Sequence, residues 1–344
     1  MKKTLVIFFI LGLSLKGFAQ KELTAQDSIK VFYDGLFSAL KNGYLHRKAV
    51  DWKVVEYETK QNLAQYNSFK TSLNEIKILF DKIGATHCIV YDQGKKYSAT
   101  GKAISKAEYT EQWRKKYAAK PTFEAKVLDG KYGYILMPGM VFFDTSSENV
   151  HKIAQAMYDQ IADIKAKNKI EGWILDLRLN TGGNSWPMLL ALYDLLGDHD
   201  IGGSLNLNKK LVSTIKLENG NYLDNGKKVS FINPVGELLD KKKLAVITGI
   251  FTGSSGEVTA MAFKGRPNTI FVGESTLGFT TGNIFWPLAF GTTMALTNSY
   301  DSDRNGNYYE RIIPDIAVSK QDNFDDLFLD RNIQESIKFL MQKE

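Results

Sequence analysis

Two loops of this chain place small or nucleophilic residues between an apolar strand and a helix, where catalytic groups are often held. The first loop spans residues 176–184 and contains the adjacent glycines Gly182 and Gly183. Glycine lets backbone N–H groups approach a ligand and point together, as an oxyanion requires. A tight turn without a ligand explains the same glycines. Considered alone, this loop is either an anion site or a simple connection.

The second loop, residues 252–257 with the sequence Thr-Gly-Ser-Ser-Gly-Glu, also joins an apolar strand to a helix. At the beginning of a helix, the dipole and the next backbone N–H stabilise developing negative charge, so Ser254 is a candidate nucleophile. The alternative is a capping box, in which Ser254 satisfies an N–H of the first turn and Glu257 reaches back. The two roles are compatible, because Glu257 can cap the helix while Ser254 attacks.

A histidine, His87, begins a strand-like stretch just after Gly84, where a helical pattern ends. Imidazole titrates near neutral pH and is the usual base for a serine nucleophile. A single histidine among apolar neighbours is more often a packed core residue, so its partner decides its role. The four histidines and the single cysteine, Cys88, form no HExxH or CxxC pattern. No metal or other cofactor is therefore expected.

The elements that must position these loops predict an α/β fold. Apolar residues follow helical spacing in the first segment, and a hairpin signal separates two later strands. Beyond residue 172, apolar strands alternate with helices, which is typical of a parallel sheet covered on both faces. Segment 203–233, with two Asn-Gly turns, predicts an antiparallel excursion. The predicted helices are 29–40, 73–83, 148–166, 186–196, 255–263 and one over 333–341, and the predicted strands are 86–91, 123–128, 132–137, 173–177, 244–250 and 269–272.

The first 19 residues have the features of a secretory signal peptide. A basic start precedes the apolar run 4–15 and then Gly17-Phe18-Ala19, which predicts cleavage after Ala19. The apolar run is shorter than the about 20 residues that span a bilayer, and no later segment is comparable. We therefore expect an exported protein, periplasmic or secreted, with no integral membrane segment after cleavage.

The composition of the 344 residues is that of a globular chain with a large core, since 44% are hydrophobic and 12% aromatic. The net charge is +6, from 44 Lys and Arg against 38 Asp and Glu. Three of the positive residues, Lys2, Lys3 and Lys16, lie in the predicted signal peptide. Because the remaining charge is nearly balanced, no nucleic-acid partner is expected. No pattern in the sequence indicates an oligomeric state.

Seven motifs in a consistent order resemble the C-terminal processing, or tail-specific, serine peptidase family. Within it, the chain is most similar to the branch of the nisin-resistance protein and the tricorn core. The resemblance covers roughly residues 84–318, and seven ordered matches are more specific than any one of them. The motifs are Gly84-x-x-His87, Gly133-Tyr-Ile-x-x-Pro138, Asp176-Leu-Arg-x-Asn-x-Gly-Gly-Asn-x-Trp-Pro187, Thr252-Gly-Ser-Ser-Gly-Glu257, Phe263-Lys-Gly265, Val272-Gly-Glu-x-Thr-x-Gly278 and Ile313-Pro-Asp315.

The resemblance implies Ser254 as the nucleophile. In family members with a Ser-Lys dyad, the lysine follows the Gly-Glu-x-Thr-x-Gly motif, but here that position is Phe279. Lys264 is a poor substitute, because it lies ten residues beyond Ser254 along a helix. The Ser-His branch places its base in a segment similar to residues 85–89, so His87 is the expected base.

The remaining site residues are also implied by the resemblance. The Ser255 N–H, together with Gly182 or Gly183, is expected to form the oxyanion hole. Glu310 is expected to orient the histidine, with a surface salt bridge as the alternative. The residues expected to contact substrate are Asn184, Trp186 and Glu257, although Trp186 also fits a core position.

The implied fold is the spiral β-sheet core shared by the Clp protease and crotonases, joined to an N-terminal helical domain and a cap. Only about 40 residues separate Cys88 from Asp129, so no inserted PDZ domain is expected. The expected organisation is a signal peptide 1–19, a helical domain 20–83, a peptidase core 84–320 and a C-terminal helix 321–344.

The implied function is hydrolysis of peptides or unfolded protein tails. Two rivals remain: a peptide-binding protein that has lost activity, and a crotonase-like acyl-CoA enzyme. Export disfavours the second, because acyl-CoA substrates do not fit an exported chain.

Overall fold

The computed structural model describes residues 23–101 and 104–342, so the predicted signal peptide lies outside the described residues. In this described part, no helix is long and apolar enough to cross a membrane. The helices are α1 Ala25–Gly43, α2 Trp52–Leu63, α3 Phe69–Ser72, α4 Glu75–Ile83, α5 Glu111–Ala118, α6 Ser147–Lys167, α7 Ser185–Ala191, α8 Tyr193–Leu196, α9 Ser255–Met261 and α10 Arg331–Met341. The strands are β1 Ile89–Asp92, β2 Lys95–Ser98, β3 Glu124–Leu128, β4 Tyr132–Leu136, β5 Gly172–Asp176, β6 Asp200–Leu205, β7 Leu211–Glu218, β8 Asn221–Asp224, β9 Lys227–Phe231, β10 Leu244–Thr248, β11 Thr269–Gly273, β12 Thr281–Pro287, β13 Thr293–Ser302 and β14 Ile316–Ala317.

The first sheet has six strands in the order β14-β11-β10-β5-β4-β3. All neighbours are parallel except β3 and β4, the predicted hairpin. Strands β4, β5 and β10 are buried along their whole length, as uninterrupted apolar runs predict for a sheet covered on both faces. Because β5 and β10 are adjacent and parallel, the loops that follow them meet at one edge of the sheet.

The second sheet is antiparallel and has eight strands. Its order is β2-β1-β13-β6-β7-β8-β9, with β12 also paired to β13. The predicted excursion 203–233 forms most of β6 to β9 within this sheet. The stretch that begins at His87 becomes β1, and Ile89 lies opposite Ala295 of β13. His87 lies just before β1, so the pairing of β1 with β13 places it close to strands from the C-terminal part of the chain.

The N-terminal helices pack on the antiparallel sheet rather than forming a core of their own. Residues from α1, α2 and α4 share one hydrophobic cluster with Val90, Met294 and Leu296 of β1 and β13. Helix α4 ends at Gly84, which adopts the left-handed conformation with φ 68°, as the sequence predicts. The turn after this glycine leads directly to His87.

The predicted helix 186–196 is divided into α7 and α8 at Leu192. Leu192 has φ −92° and ψ 13°, outside the α-helical range. Its carbonyl nevertheless accepts hydrogen bonds from the N–H groups of Leu195 and Leu196. The apolar spacing continues across this irregular turn, which explains why it predicts one helix.

Candidate active site

Ser254 lies at a sharp turn between β10 and α9. Its φ of 51° and ψ of −117° are unusual for a residue with a side chain, and such strain is typical of nucleophiles at strand-to-helix turns. The turn is tied to the neighbouring loop, because Thr252 Oγ1 donates to the Leu177 carbonyl at 2.9 Å. The Gly253 N–H likewise donates to the Asn180 carbonyl at 3.0 Å. The two loops that the sequence singled out are therefore one structural unit.

The hydroxyl of Ser254 faces His87, with 3.0 Å between Ser254 Oγ and His87 Nε2. The other ring nitrogen, Nδ1, lies 2.7 Å from Thr281 Oγ1. His87 is 9% exposed, and burial lowers its pKa to about 4 although its interaction with Thr281 acts in the opposite direction. The imidazole is therefore neutral at physiological pH and able to accept a proton.

Phe279 occupies the position at which the Ser-Lys members of the family carry lysine, and it contacts the histidine instead. The Phe279 and His87 rings are stacked, with centroids 4.8 Å apart and planes 6° from parallel. Lys264 lies elsewhere: its ammonium group is 3.7 Å from the centroid of the Phe271 ring, and burial lowers its pKa. The structure thus brings His87, and not Lys264, to Ser254.

Glu257 does not face a substrate cleft, contrary to the prediction that it contacts substrate. Its side chain is fully buried, and its carboxylate accepts from the Thr276 hydroxyl and from the N–H groups of Ser254, Gly278 and Phe279. The bond to Ser254 is the one that a capping glutamate makes. Glu257 therefore fixes the Phe279 segment against the Ser254 turn.

Glu310 does not orient the histidine in this structure. Its side chain is exposed, and its backbone carbonyl accepts from Thr280 Oγ1 at 3.4 Å. Thr281 occupies the position beside Nδ1 instead, because β12 runs directly past His87. Asn283, two residues further along β12, donates to the His87 carbonyl at 3.1 Å. No local pattern in the sequence marks Thr281 or Asn283, because only strand pairing brings them to His87.

The two glycines of the first loop differ in what their N–H groups do. Gly182 is buried with φ +119°, and a Cβ placed on it would lie 3.1 Å from that of Ser254, so only glycine fits. Its N–H donates to Asn180 Oδ1 at 3.2 Å. Gly183 is exposed, and among the described residues neither its N–H nor that of Ser255 has an acceptor. Of the N–H groups expected at the oxyanion hole, that of Gly182 is therefore bonded, and those of Ser255 and Gly183 are not.

Asn184 and Trp186, both expected to contact substrate, lie at the beginning of α7. Asn184 is buried, and its Oδ1 accepts from the Phe142 N–H at 3.0 Å, so it anchors the segment after β4. Trp186 is half-buried and packs against the main hydrophobic cluster. Trp186 is therefore partly a core residue, which was the alternative to a substrate contact.

A buried arginine holds the strand that precedes the glycine loop. Arg178 is 2% exposed and forms ion pairs with Asp176, Asp322 and Asp330. Asp330 is also the N-cap of α10. This cluster connects the end of β5 to the C-terminal helix, so the glycine loop begins from a fixed point.

Comparison with known proteins identifies the family. The model of "Peptidase family S41" matches residues 131–318, more than half of the chain. This chain belongs to peptidase family S41. The matched range includes both loops, Ser254 and Thr281, whereas His87 lies before it. The family resemblance seen in the sequence is thereby confirmed.

Several relatives agree with membership of family S41. The chain is 35% identical over 155 residues to the nisin-resistance protein of Lactococcus lactis subsp. lactis. That match spans 44% of this chain and about half, 48%, of the relative. A lipoprotein from Streptococcus agalactiae has the same fold, with a TM-score of 0.67 and 22% identity over 92% of this chain and 96% of that one. A mutant of CPAF gives a TM-score of 0.51 and 12% identity over 93% and 98% of the two chains. The chain therefore has an S41 peptidase fold of mixed α/β content, and a helical N-terminal region is present before the matched residues.

Proposed function

We propose that this S41 chain is an exported serine endopeptidase that cleaves peptides or unfolded protein tails through Ser254 and His87. The observation that carries the proposal is the 3.0 Å contact between Ser254 Oγ and His87 Nε2 at a strained turn. A hydroxyl is a weak nucleophile at neutral pH and needs a neutral base within hydrogen-bond reach. Burial keeps His87 in that neutral form.

In the proposed reaction, Ser254 Oγ attacks the carbonyl carbon of the scissile bond while its proton moves to His87 Nε2. With Nε2 free to accept, the ring proton of the resting histidine is on Nδ1 and is donated to Thr281 Oγ1. The protonated imidazole then gives its Nε2 proton to the leaving amine as the C–N bond breaks. Water then attacks the acyl carbon and gives a proton to His87 Nε2, which passes it to Ser254 Oγ as the C–O bond breaks and the acid leaves.

The negative charge that forms on the carbonyl oxygen needs N–H donors. We propose the N–H groups of Ser255 and Gly183, which have no acceptor among the described residues. Ser255 is the first residue of α9, where the helix dipole adds to the effect. Gly182 supports this arrangement through close packing on Ser254 rather than through its N–H.

Three finer features of the family resemblance are part of the proposal. The six-stranded sheet would be the spiral core of the Clp and crotonase type, with the segment between β1 and β3 in place of a PDZ domain. The chain would divide into a helical domain 20–83, a core 84–320 and a C-terminal helix 321–344. Export would remove residues 1–19, and N-terminal sequencing of protein recovered outside the cytoplasm tests this directly.

A fluorophosphonate probe tests the proposed chemistry without knowledge of the substrate. We expect mass spectrometry to find the adduct on Ser254 of the wild-type chain and none on the His87→Ala variant. Folded protein without an adduct would instead support a peptide-binding protein that has lost activity. An adduct on Ser255 would contradict the assignment of the nucleophile. Because the relative from Lactococcus lactis is named for resistance to nisin, nisin is the first peptide to test for cleavage.

A further inference from the structure

A cluster of exposed aromatic side chains lies between the two sheets. Phe143, in the segment after β4, is 58% exposed, and Phe285, on β12, is 42% exposed. The Phe143 ring contacts Tyr91 of β1 edge to face, with centroids 5.3 Å apart, and it lies 6.2 Å from the Phe285 ring. Single exposed apolar side chains are common, whereas a cluster of them usually marks a binding surface.

Phe285 shares a strand face with the residues that contact His87. Side chains alternate along a strand, so Thr281, Asn283 and Phe285 point to one side of β12. The irregularity between β12 and β13 does not disturb this alternation, because the extra residue, Asn298, is on β13. Thr281 and Asn283 both bond to His87. Phe285 therefore lies about 7 Å beyond Asn283 on the same face.

Tyr91 belongs to the same face of the sheet. Paired residues of antiparallel strands point to the same side, and Thr293 of β13 is opposite both Pro287 of β12 and Tyr91 of β1. The reverse face of these strands, which includes Trp286, packs on the N-terminal helices. The face with Phe285 and Tyr91 is consequently the one that the helices leave open.

Phe143 belongs to the side of the site that contains Ser254 and the glycine loop. Its segment is tied to the glycine loop, because Met140 pairs with Gly183 and the Phe142 N–H donates to Asn184. The Phe143 ring, whose segment is bonded to the glycine loop, thus contacts the Tyr91 ring of β1 and lies close to the Phe285 ring of β12. The aromatic cluster bridges the two halves that the proposed reaction needs.

We propose that Phe143, Phe285 and Tyr91 form an apolar subsite for one side chain of the peptide substrate. The proposal rests on the proposed peptidase function and adds the substrate class: peptides with a large apolar or aromatic residue near the cleaved bond. An extended peptide advances about 3.3 Å per residue. Phe285 lies two residues beyond Asn283 and four beyond Thr281, which places the favoured residue two to four positions from the bond cleaved by Ser254.

The test uses fluorogenic eight-residue peptides of alanine in which a single phenylalanine is moved from position to position. We expect Phe at one position, two to four residues from the cleaved bond, to raise kcat/KM about tenfold, mainly through KM. Phe285→Ala and Phe143→Ala should each remove most of this preference. Phe328→Ala, at a 50% exposed phenylalanine near the C-terminus, is the matched control and should keep it.

The fluorophosphonate reaction separates this proposal from the function on which it rests. The two phenylalanine variants should still be labelled on Ser254, because the probe has no apolar peptide side chain to place. If no position of Phe improves either cleavage or protection of Ser254 from the probe, the subsite is wrong. A preference that survives both substitutions also contradicts it. Absence of labelling in folded wild-type protein contradicts the peptidase itself, and the subsite with it.

Discussion

The serine side and the histidine side of the candidate site are built differently. On the serine side, two loops follow adjacent parallel strands, and Ser254, Gly182 and Gly183 each lie within a few residues of a buried strand end. On the histidine side, the contact between His87 and Thr281 joins residues 194 positions apart. Each loop of the serine side is therefore formed locally at the end of a strand and joined to the other by two adjacent parallel strands, whereas the histidine side depends on the pairing of β1, β13 and β12.

The two sides also differ in the contacts that hold Ser254 and His87 in place. The serine turn is held by its hydrogen bonds to the glycine loop and by the buried Arg178 cluster at the beginning of that loop. The histidine is held by strand neighbours, by the stacked ring of Phe279 and by packing of the N-terminal helices on the same sheet. Glu257 connects the two sides, since its carboxylate accepts hydrogen bonds from the N–H groups of both Ser254 and Phe279. We infer that Ser254 and His87 affect the chemistry directly, whereas the strand neighbours of His87 act through its orientation.

The largest expected effect is on the serine side. Ser254→Ala should lower kcat/KM by about 10³-fold or more, because only binding and the oxyanion donors remain. Ser255→Ala is the matched control: it keeps the N–H, and the Ser255 hydroxyl it removes is buried without a partner. Steady-state kinetics of both variants, with melting temperatures to establish folding, check this. Equal losses from the two substitutions would contradict the assignment of the nucleophile.

The second-largest expected effect concerns which residue is the general base. His87→Ala should lower kcat by about 10³-fold, because no other side chain in the described part of the chain bonds to the Ser254 hydroxyl. Lys264→Ala should change kcat by no more than a few-fold, since Lys264 contacts the Phe271 ring instead. Kinetics of both variants, with circular dichroism as the folding control, make the comparison. A severe loss from Lys264→Ala in folded protein would restore a Ser-Lys dyad and remove the contrast between the two sides.

Thr281 tests whether orientation is what the histidine side contributes. Thr281→Val keeps the shape of the side chain but removes the hydroxyl beside Nδ1, so the ring loses its fixed direction and tautomer. We expect kcat to fall about 10- to 100-fold with KM nearly unchanged. Thr281→Ser should recover most of the activity. If Thr281→Val affects KM alone, Thr281 does not act as a positioning residue.

The pH profile gives the smallest expected difference. At pH 5.5, the neutral fraction of the buried His87 and that of an ordinary histidine differ roughly tenfold. Burial lowers the pKa of His87 to about 4, so the neutral base persists above that pH and is lost as the pH falls through it. At pH 5.5 an ordinary histidine of pKa about 6.5 would be only about a tenth neutral. We therefore expect kcat/KM at pH 5.5 to stay near its neutral value. A decline centred near pH 6.5 would show that His87 is more exposed to water than its 9% exposure indicates.

The same shift has a consequence for stability, with a definite sign. The unfolded chain takes up a proton on His87 near pH 6.5, whereas the folded chain does so only near pH 4. The free energy of unfolding should therefore decrease as the pH falls from about 6.5 to about 4. His87→Phe, which cannot titrate, should have a weaker pH dependence over this interval when melting is followed by circular dichroism.

Local patterns in the sequence predicted the parallel α/β core and the two loops, and the family resemblance added the pairing of Ser254 with His87. Apolar runs, glycines and strand-to-helix turns act over a few residues, and the structure follows them closely. Strand β10, for example, begins at the predicted Leu244, and α9 begins at the predicted Ser255.

The groups around the histidine follow from pairing between strands that are distant in the sequence. Thr281 rather than Glu310 contacts Nδ1, and Phe279 stacks on the imidazole. Both outcomes depend on the register between β1 and the β12–β13 pair, which follows β1 by almost 200 residues. A shift of one residue in a strand turns its side chains to the opposite face. No local pattern in the sequence specifies that register, because it is fixed by packing of the N-terminal helices and the antiparallel sheet on one another.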